Sequence, residues 1–137
     1  MPGIQQFDTT MKLLQKVLDL RSKNQEIIGS NIANAETPGY SAQSFSFEDQ
    51  LKSALSDNSP RQVTTQPGHI PISPGNLEQV TGKLSTTRDT TDIGDKNSVS
   101  VDQEMIKLSQ NEILYEAAVS MLNKKLSMLK YAANNGS

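Results

Sequence analysis

The segment SNIANAETPGY, residues 30–40, ends one long helical pattern and turns the chain away from it. Pro38 disfavours helical backbone at the residue before it, and Gly39 can adopt a positive φ angle. The two asparagines carry amides that bind backbone groups or a neighbouring helix, and the tyrosine adds a ring with a polar tip. Taken alone, the segment fits either a simple helix stop or a built corner. The residues expected to set such a corner are Asn31, Asn34, Thr37, Pro38, Gly39 and Tyr40.

Upstream of this segment, the chain has the periodicity of an amphipathic helix over about Phe7 to Ala35. Apolar residues follow alternating steps of four and three, which place them on one face. Arg21 and Gln25 interrupt that row, so we expect the middle of the seam to be looser or to meet a polar partner. The apolar members of the row are Phe7, Met11, Leu14, Leu18, Ile28, Ile32 and Ala35.

A second long helix is predicted over about Val101 to Asn134, before the terminating Gly136. Ser100 and Gln103 have the spacing of a capping box at its start. The two helices predict a mainly α fold, packed either as an antiparallel hairpin or as parts of a larger coiled-coil bundle. The row predicted to form the seam of this helix is Val101, Met105, Leu108, Glu112, Tyr115, Val119, Leu122, Leu126, Leu129 and Ala133.

The middle of the chain is rich in Ser, Thr, Asp, Pro and Gly. Phe45 and Phe47 alternate with serines, which predicts a short extended segment. A short helix follows over about residues 47–55, with Ser46 as its cap. Residues 77–86 are expected to form a small hairpin turning near Gly82. We therefore divide one structural domain into an N-terminal helix (residues 1–36), a loop-rich middle (37–98) and a C-terminal helix (99–137).

The composition favours a protein that gains stability by association. Only 34% of the 137 residues are hydrophobic, which limits the core that one chain can bury. The net charge of −2 gives no footprint for nucleic acid or an anionic membrane. The chain has no Cys, so it forms neither disulfides nor thiolate metal sites. We expect no cleavable signal peptide at the N-terminus and no membrane-spanning helix.

The sequence offers little for catalysis or metal binding. His69 is the single histidine and is interpreted as a structural residue of a turn. Asp89, Asp92 and Asp95 lack the every-second-residue spacing of a calcium loop and are interpreted as a solvated loop. The serines lie in loops without a nucleophile elbow. We therefore expect no enzyme activity, no cofactor and no metal.

Residues 31–40, NIANAETPGY, resemble the motif of the bacterial flagellar axial proteins that form rod, hook and hook junction. Three further matches resemble most closely the proximal-rod protein B branch of the basal-body rod family. They are the short chain, the pair His69-Ile70, and the run 111–117 followed by 124–126 in the last helix. The family often has Asp-Gly-Asn before that helix, whereas this chain has Asp95-Lys96-Asn97.

The resemblance implies a structural subunit that assembles helically in the proximal rod and transmits torque. It implies export through the flagellar type III apparatus, and contacts with copies of itself, other rod subunits, the ring-to-rod adaptor, the membrane-ring protein and the export gate. Another axial subunit, or a cytoplasmic helical adaptor or secretion chaperone, remains the alternative. The residues expected to pack between subunits are Leu14, Leu18, Ile28, Ile32, Leu108, Tyr115, Val119, Leu122, Leu126 and Leu129.

Overall fold

The fold is mainly helical, with two long terminal helices and a small mixed middle region. A computed structural model describes residues 2–56, 74–87 and 99–136, with side chains described from residue 9 in the first segment and from residue 77 in the second. The elements in chain order are α1 (Pro2–Ala33), β1 (Ala42–Ser46), α2 (Glu48–Ser56), a 3₁₀ helix (Pro74–Gln79), β2 (Lys83–Thr87) and α3 (Val101–Asn135). The predicted fold class is confirmed.

The two long helices pack against each other as an antiparallel pair within one chain. The side chain of Asn31 in α1 contacts Glu104 in α3, and Asn24 contacts Asn111. From Asn31 to Asn24 the contacts run backward along α1, and from Glu104 to Asn111 they run forward along α3. The two helices therefore point in opposite directions. With 32 and 35 residues, the helices are about 48 and 52 Å long at 1.5 Å per residue. The hairpin that the periodicity left open is the arrangement observed.

The side of α3 that faces α1 is narrow, and two of its three fully buried residues are polar. Its buried residues are Glu104, Asn111 and Ala118, which recur every seven residues and so form one row along the helix. The predicted seam is right in part, because Leu108, Tyr115, Val119 and Leu122 are half-buried, whereas Met105 and Glu112 are exposed. Other apolar side chains of α3 also remain uncovered, namely Val101, Ile106, Ile113, Leu114, Met121, Leu126, Met128, Leu129 and Tyr131.

The middle region has a small hydrophobic core of its own, which rests on α1. Phe45 and Phe47 point inward from β1 and the residue after it, with ring centroids 5.8 Å apart. The guanidinium group of Arg21 lies over the Phe47 ring, 4.8 Å from its centroid. The middle-region core consists of Leu20, Phe45, Phe47, Ala54, Leu77 and Val80, with Leu13, Ile27 and Leu51 packed against it.

The predicted hairpin over residues 77–86 is wrong. Residues 74–79 form the 3₁₀ helix, and β2 pairs antiparallel with β1, with Leu84 opposite Phe45. The reason is the long-range burial of Phe45, which periodicity within residues 77–86 does not reveal. Gly82 has a φ angle of +76° and lies so close to the Phe45 ring that a Cβ atom there would overlap it. Its N–H group donates a hydrogen bond to Gln50 Oε1 at 3.1 Å.

Three local expectations at helix ends also need correction. Helix α1 begins at Pro2 rather than Phe7. Ser46 belongs to β1, and α2 begins at Glu48. Ser100 occupies the N-cap position of α3, but its side chain makes no capping hydrogen bond, so the capping box is absent. The interpretations of His69 and of the aspartates at 89, 92 and 95 lie outside the described residues.

Candidate functional site

The corner begins with a tightly bonded end of α1. The helix ends at Ala33, slightly before the predicted stop. Asn34 bonds back to Ser30 twice, since both its backbone N–H and its side-chain Nδ2 donate to the Ser30 carbonyl oxygen, at 3.0 and 2.9 Å. The Thr37 N–H then donates to the Asn34 carbonyl oxygen at 3.0 Å, and Gly39 has a φ angle of +77°. The local sequence therefore stops the helix and reverses the chain as expected.

The side-chain amide of Asn31 is the centre of the corner. It is 1% exposed and uses its full hydrogen-bonding capacity. Its Nδ2 donates to the Gln43 carbonyl oxygen at 2.6 Å and to Glu104 Oε2 at 3.0 Å. Its Oδ1 accepts from the Gln43 N–H at 3.0 Å and from the Tyr40 hydroxyl at 3.0 Å. One amide thus joins α1, the chain after the turn, β1 and α3.

The bonds from Asn31 to Gln43 imitate a neighbouring strand. Gln43 stands opposite Thr86 in the β1–β2 register, yet both its peptide groups are bonded to Asn31. They therefore point away from β2, as those of a non-hydrogen-bonded antiparallel pair do. Because the Asn31 amide is bonded to both the N–H and the carbonyl oxygen of Gln43, it fixes the direction in which β1 leaves the helical pair.

Glu104 anchors this corner to α3. Its side chain is 6% exposed, and its Oε1 accepts a bond of 2.9 Å from Lys107 Nζ, whose side chain is 52% exposed. A buried carboxylate is costly to desolvate unless it is paired and hydrogen-bonded. Lys107 and Asn31 satisfy one oxygen each, so removal of either partner leaves a buried charge incompletely compensated.

A second polar layer lies one heptad along the helical pair. Asn111 Nδ2 donates to the Arg21 carbonyl oxygen at 2.9 Å, and Asn111 Oδ1 accepts from Asn24 Nδ2 at 3.1 Å and from Arg21 Nη1 at 3.4 Å. The polar partner expected where Arg21 interrupts the apolar row is confirmed. Polar groups of this kind, placed between paired helices, fix their register. The layers at Asn111 and Glu104 together favour a single alignment of α1 with α3.

The structure separates the ten predicted packing residues into three groups. Leu14 and Ile28 are buried within the chain. Leu126 and Leu129 are exposed, at 44% and 50%. The half-buried members are Leu18, Ile32, Leu108, Tyr115, Val119 and Leu122. Of the corner residues, Asn31, Asn34, Thr37 and Tyr40 are joined by hydrogen bonds, whereas Pro38 is exposed and Gly39 contributes its backbone angle.

Sequence reasoning missed the exposed side of α3 that points away from α1. Ile106 and Ile113 are 58% and 67% exposed. Ile113 follows Asn111 by two residues, which turns it about 200° around the helix from the buried row. The signal was present in the sequence, because apolar residues occupy more positions of α3 than one seam requires.

The described residues contain neither a metal-binding cluster nor a membrane-spanning helix. Within residues 2–56, 74–87 and 99–136, no three His, Cys, Asp or Glu side chains are grouped so that they could hold a metal ion. No described helix is both long enough and apolar enough to cross a membrane. The arrangement is one of helical packing surfaces and a fixed corner.

Comparisons with known proteins agree with this arrangement. The family described as flagella basal body rod protein matches residues 18–40, which contain the corner and the α1 half of both polar layers. This short match indicates the class of flagellar basal body rod proteins, which the relatives over nearly the whole chain establish. The flagellar basal body rod protein FlgB of Aeromonas hydrophila is 34% identical over 126 residues, which cover 90% of this chain and 91% of that protein. The FlgB protein of Bacillus subtilis (strain 168) is 32% identical over 95% of this chain and 97% of its own length. That of Escherichia coli (strain K12) is 28% identical over 97% and 99%. The chain belongs to the FlgB family of flagellar basal body rod proteins.

Proposed function

We propose that the chain is a structural subunit of the proximal rod of the bacterial flagellar basal body, where it assembles helically and transmits torque from the membrane ring to the distal rod and hook. The observation that carries this proposal is the likeness to FlgB proteins over 90% or more of the chain. Its activity is mechanical, so it requires no catalytic residue and no cofactor.

The corner supports this role because torque must pass between the helical pair and the middle region. A single torsionally soft linker at residues 34–41 would let the middle region rotate about α1. Instead, Asn31 holds the peptide of Gln43 and is itself held by Glu104. The corner residues therefore set the angle at which the middle region meets the rod core.

The uncovered apolar side chains of α3 support assembly. Contiguous exposed apolar surface of this kind marks an interaction site in a soluble protein. Its burial between neighbours contributes about 25 cal/mol per Å². Of the predicted packing residues, Leu126 and Leu129 are free to contact a neighbour directly. Leu14 and Ile28 act indirectly, by holding α1 against the rest of the chain.

Partners and location complete the proposal. The subunit contacts copies of itself, other rod subunits, the ring-to-rod adaptor, the membrane-ring protein and the export gate. It leaves the cytoplasm through the flagellar type III export apparatus and works in the part of the rod that crosses the periplasm.

The test compares a strain with a working flagellar export gate and a strain without it. We expect the tagged chain in purified basal bodies only when the gate works. A stable chain that stays in the cytoplasm of both strains would instead favour a helical adaptor or secretion chaperone. Leu129→Asp serves as the assembly-defective variant and Asn123→Asp, at another exposed position of α3, as its matched control. Both variants should be exported, and only Leu129→Asp should be depleted from basal bodies.

A further inference from the structure

Helix α3 carries three exposed methionines. Met105 is 55% exposed, Met121 is 57% exposed and Met128 is 55% exposed, whereas Met11 in α1 is half-buried. The thioether of methionine is apolar, yet peroxides convert it to a polar sulfoxide where they can reach it. The three methionines of α3 are therefore open to a reaction that a buried methionine resists.

Met121 and Met128 lie on one line along α3. They are seven residues apart, and Leu114 lies seven residues before Met121, so the three side chains recur every two turns. Ala117 and Tyr131 lie on the same side of the helix. With 100° per residue, these five exposed residues lie within an arc of about 100°. We call them the methionine stripe.

The methionine stripe is distinct from the side of α3 that packs on α1. Its centre is turned about 100° around the helix from the buried row that contains Asn111 and Ala118. Within residues 114–131, Lys124 is the only charged residue in the arc of the stripe, and its long side chain can keep the ammonium group in water. The stripe is therefore an almost wholly apolar surface that the helical pair leaves uncovered.

Oxidation changes the character of this surface. A lone pair on the methionine sulfur attacks one oxygen of hydrogen peroxide, the O–O bond breaks, and water leaves after proton transfer. The sulfur loses two electrons and the peroxide gains them. The sulfoxide is polar, and burial of its oxygen without a hydrogen-bond donor is costly. Oxidation of Met121 and Met128 thus places two polar groups in the middle of the stripe.

We infer that Met121 and Met128 form a reversible oxidation site that controls whether the methionine stripe can be buried in an assembly. The inference rests on the proposed rod function, which requires apolar side chains of α3 to be buried against neighbouring subunits. The thioethers permit that burial, and the sulfoxides oppose it. The change is reversible because methionine sulfoxide reductases restore the thioether.

Met105 provides a comparison within the same helix. It is as exposed as Met128, but it lies on the other side of the buried row. Its neighbours one turn away include the exposed residues Asp102, Ser109 and Glu112. Oxidation of Met105 adds a polar group to a surface that is already polar. We therefore expect Met105 to react readily but to have little effect on assembly.

The first test treats the purified full-length chain with hydrogen peroxide and follows each methionine by mass spectrometry of proteolytic peptides. Met121 and Met128 should be oxidised roughly two- to fivefold faster than Met11, because they are more exposed. Far-UV circular dichroism should not change, since the stripe lies outside the core. Rates for Met121 and Met128 no higher than that of Met11 would refute the oxidation site.

The second test applies the same treatment to purified basal bodies. Met121 and Met128 should react several times more slowly there than in the free chain, because assembly buries the stripe. Equal rates in the free chain and in basal bodies would overturn the inference, since the stripe would then be uncovered in the assembly.

The third test uses substitutions. Met121→Gln with Met128→Gln imitates the polarity of the sulfoxides, whereas Met121→Leu with Met128→Leu keeps the stripe apolar and cannot be oxidised. The double glutamine variant should be exported but severalfold depleted from basal bodies. The double leucine variant should be incorporated normally, and peroxide treatment of the cells should not reduce its incorporation. Met105→Gln is the matched control and should be incorporated normally.

The outcomes separate this inference from the proposed function. If the double glutamine variant is incorporated as well as Met105→Gln, oxidation of the stripe does not control assembly and only this inference is refuted. If the unsubstituted chain is itself absent from basal bodies, the rod function is refuted, whereas the rates measured in the free chain still stand.

Discussion

Exchange of the buried partners Asn31 and Glu104 is the sharpest perturbation of the corner. Asn31→Asp keeps the size of the side chain but removes both donated hydrogen bonds, to the Gln43 carbonyl oxygen and to Glu104. It also places two carboxylates side by side. Glu104→Gln keeps an acceptor oxygen and supplies an amide donor. In the double variant, the amide introduced at position 104 can donate to the carboxylate introduced at position 31, so the contact is rebuilt with the donor and acceptor exchanged.

The expected free energies follow from the bonds that each variant loses. A hydrogen bond to a charged group contributes roughly 1.5–3 kcal/mol, and a buried carbonyl left unpaired costs roughly 1–3 kcal/mol. Asn31→Asp should therefore destabilise the chain by about 3–5 kcal/mol, and Glu104→Gln by about 1–2 kcal/mol. Because the exchanged contact is regained, the double variant should be at least about 1 kcal/mol more stable than the sum predicts.

The assay is urea unfolding followed by far-UV circular dichroism, with sucrose present for every variant so that the least stable one remains folded. Hydrogen exchange at the Gln43 amide should accelerate in Asn31→Asp. Asn123→Asp, at an exposed position of α3, is the control and should change stability by less than about 0.5 kcal/mol. If the double variant equals the sum of the single variants within about 0.5 kcal/mol, Asn31 and Glu104 are not coupled and the account of the corner is wrong.

Two further pairs of variants test the middle region and the helix. Gly82→Ala should destabilise the chain by about 2–4 kcal/mol, because it combines a positive φ angle with overlap of the Phe45 ring. Gly29→Ala should stabilise the chain by about 0.5–1 kcal/mol, because Gly29 lies in α1 with open space around it. Thermal unfolding of the two variants tests both expectations. Phe47→Ala should lower the free energy of unfolding by about 3–5 kcal/mol, since Phe47 is 1% exposed. Leu84→Ala should lower it by less than about 1 kcal/mol, because Leu84 is exposed. Equal effects in urea unfolding would contradict the assigned core.

The sequence predicted the long helices well and the middle region only in part. Periodicity over about thirty residues is a strong local signal, and it located both α1 and α3. The β1 strand was also predicted, from the alternation of Phe45 and Phe47 with serines. Its pairing with β2 was not, because the register depends on where Phe45 is buried, some forty positions away along the chain.

The sequence predicted the residues of the corner that lie in α1 and the following turn, but not the residue of α3 to which they bond. Asn31 and Tyr40 were recognised as corner residues, but their partner Glu104 was not. An isolated glutamate near the start of a helix gives no sign that it will be buried. The polar groups of α1 bond to Glu104 and Asn111, so the fully buried row of α3 includes polar residues that the apolar pattern alone does not predict.

The two hydrogen bonds between Asn31 and Gln43 also hinder the addition of a foreign strand to β1. An open strand edge is a template for strand addition and aggregation. On β1, the asparagine amide already occupies the outward peptide groups at Gln43. A further strand cannot form its hydrogen bonds with β1 at Gln43.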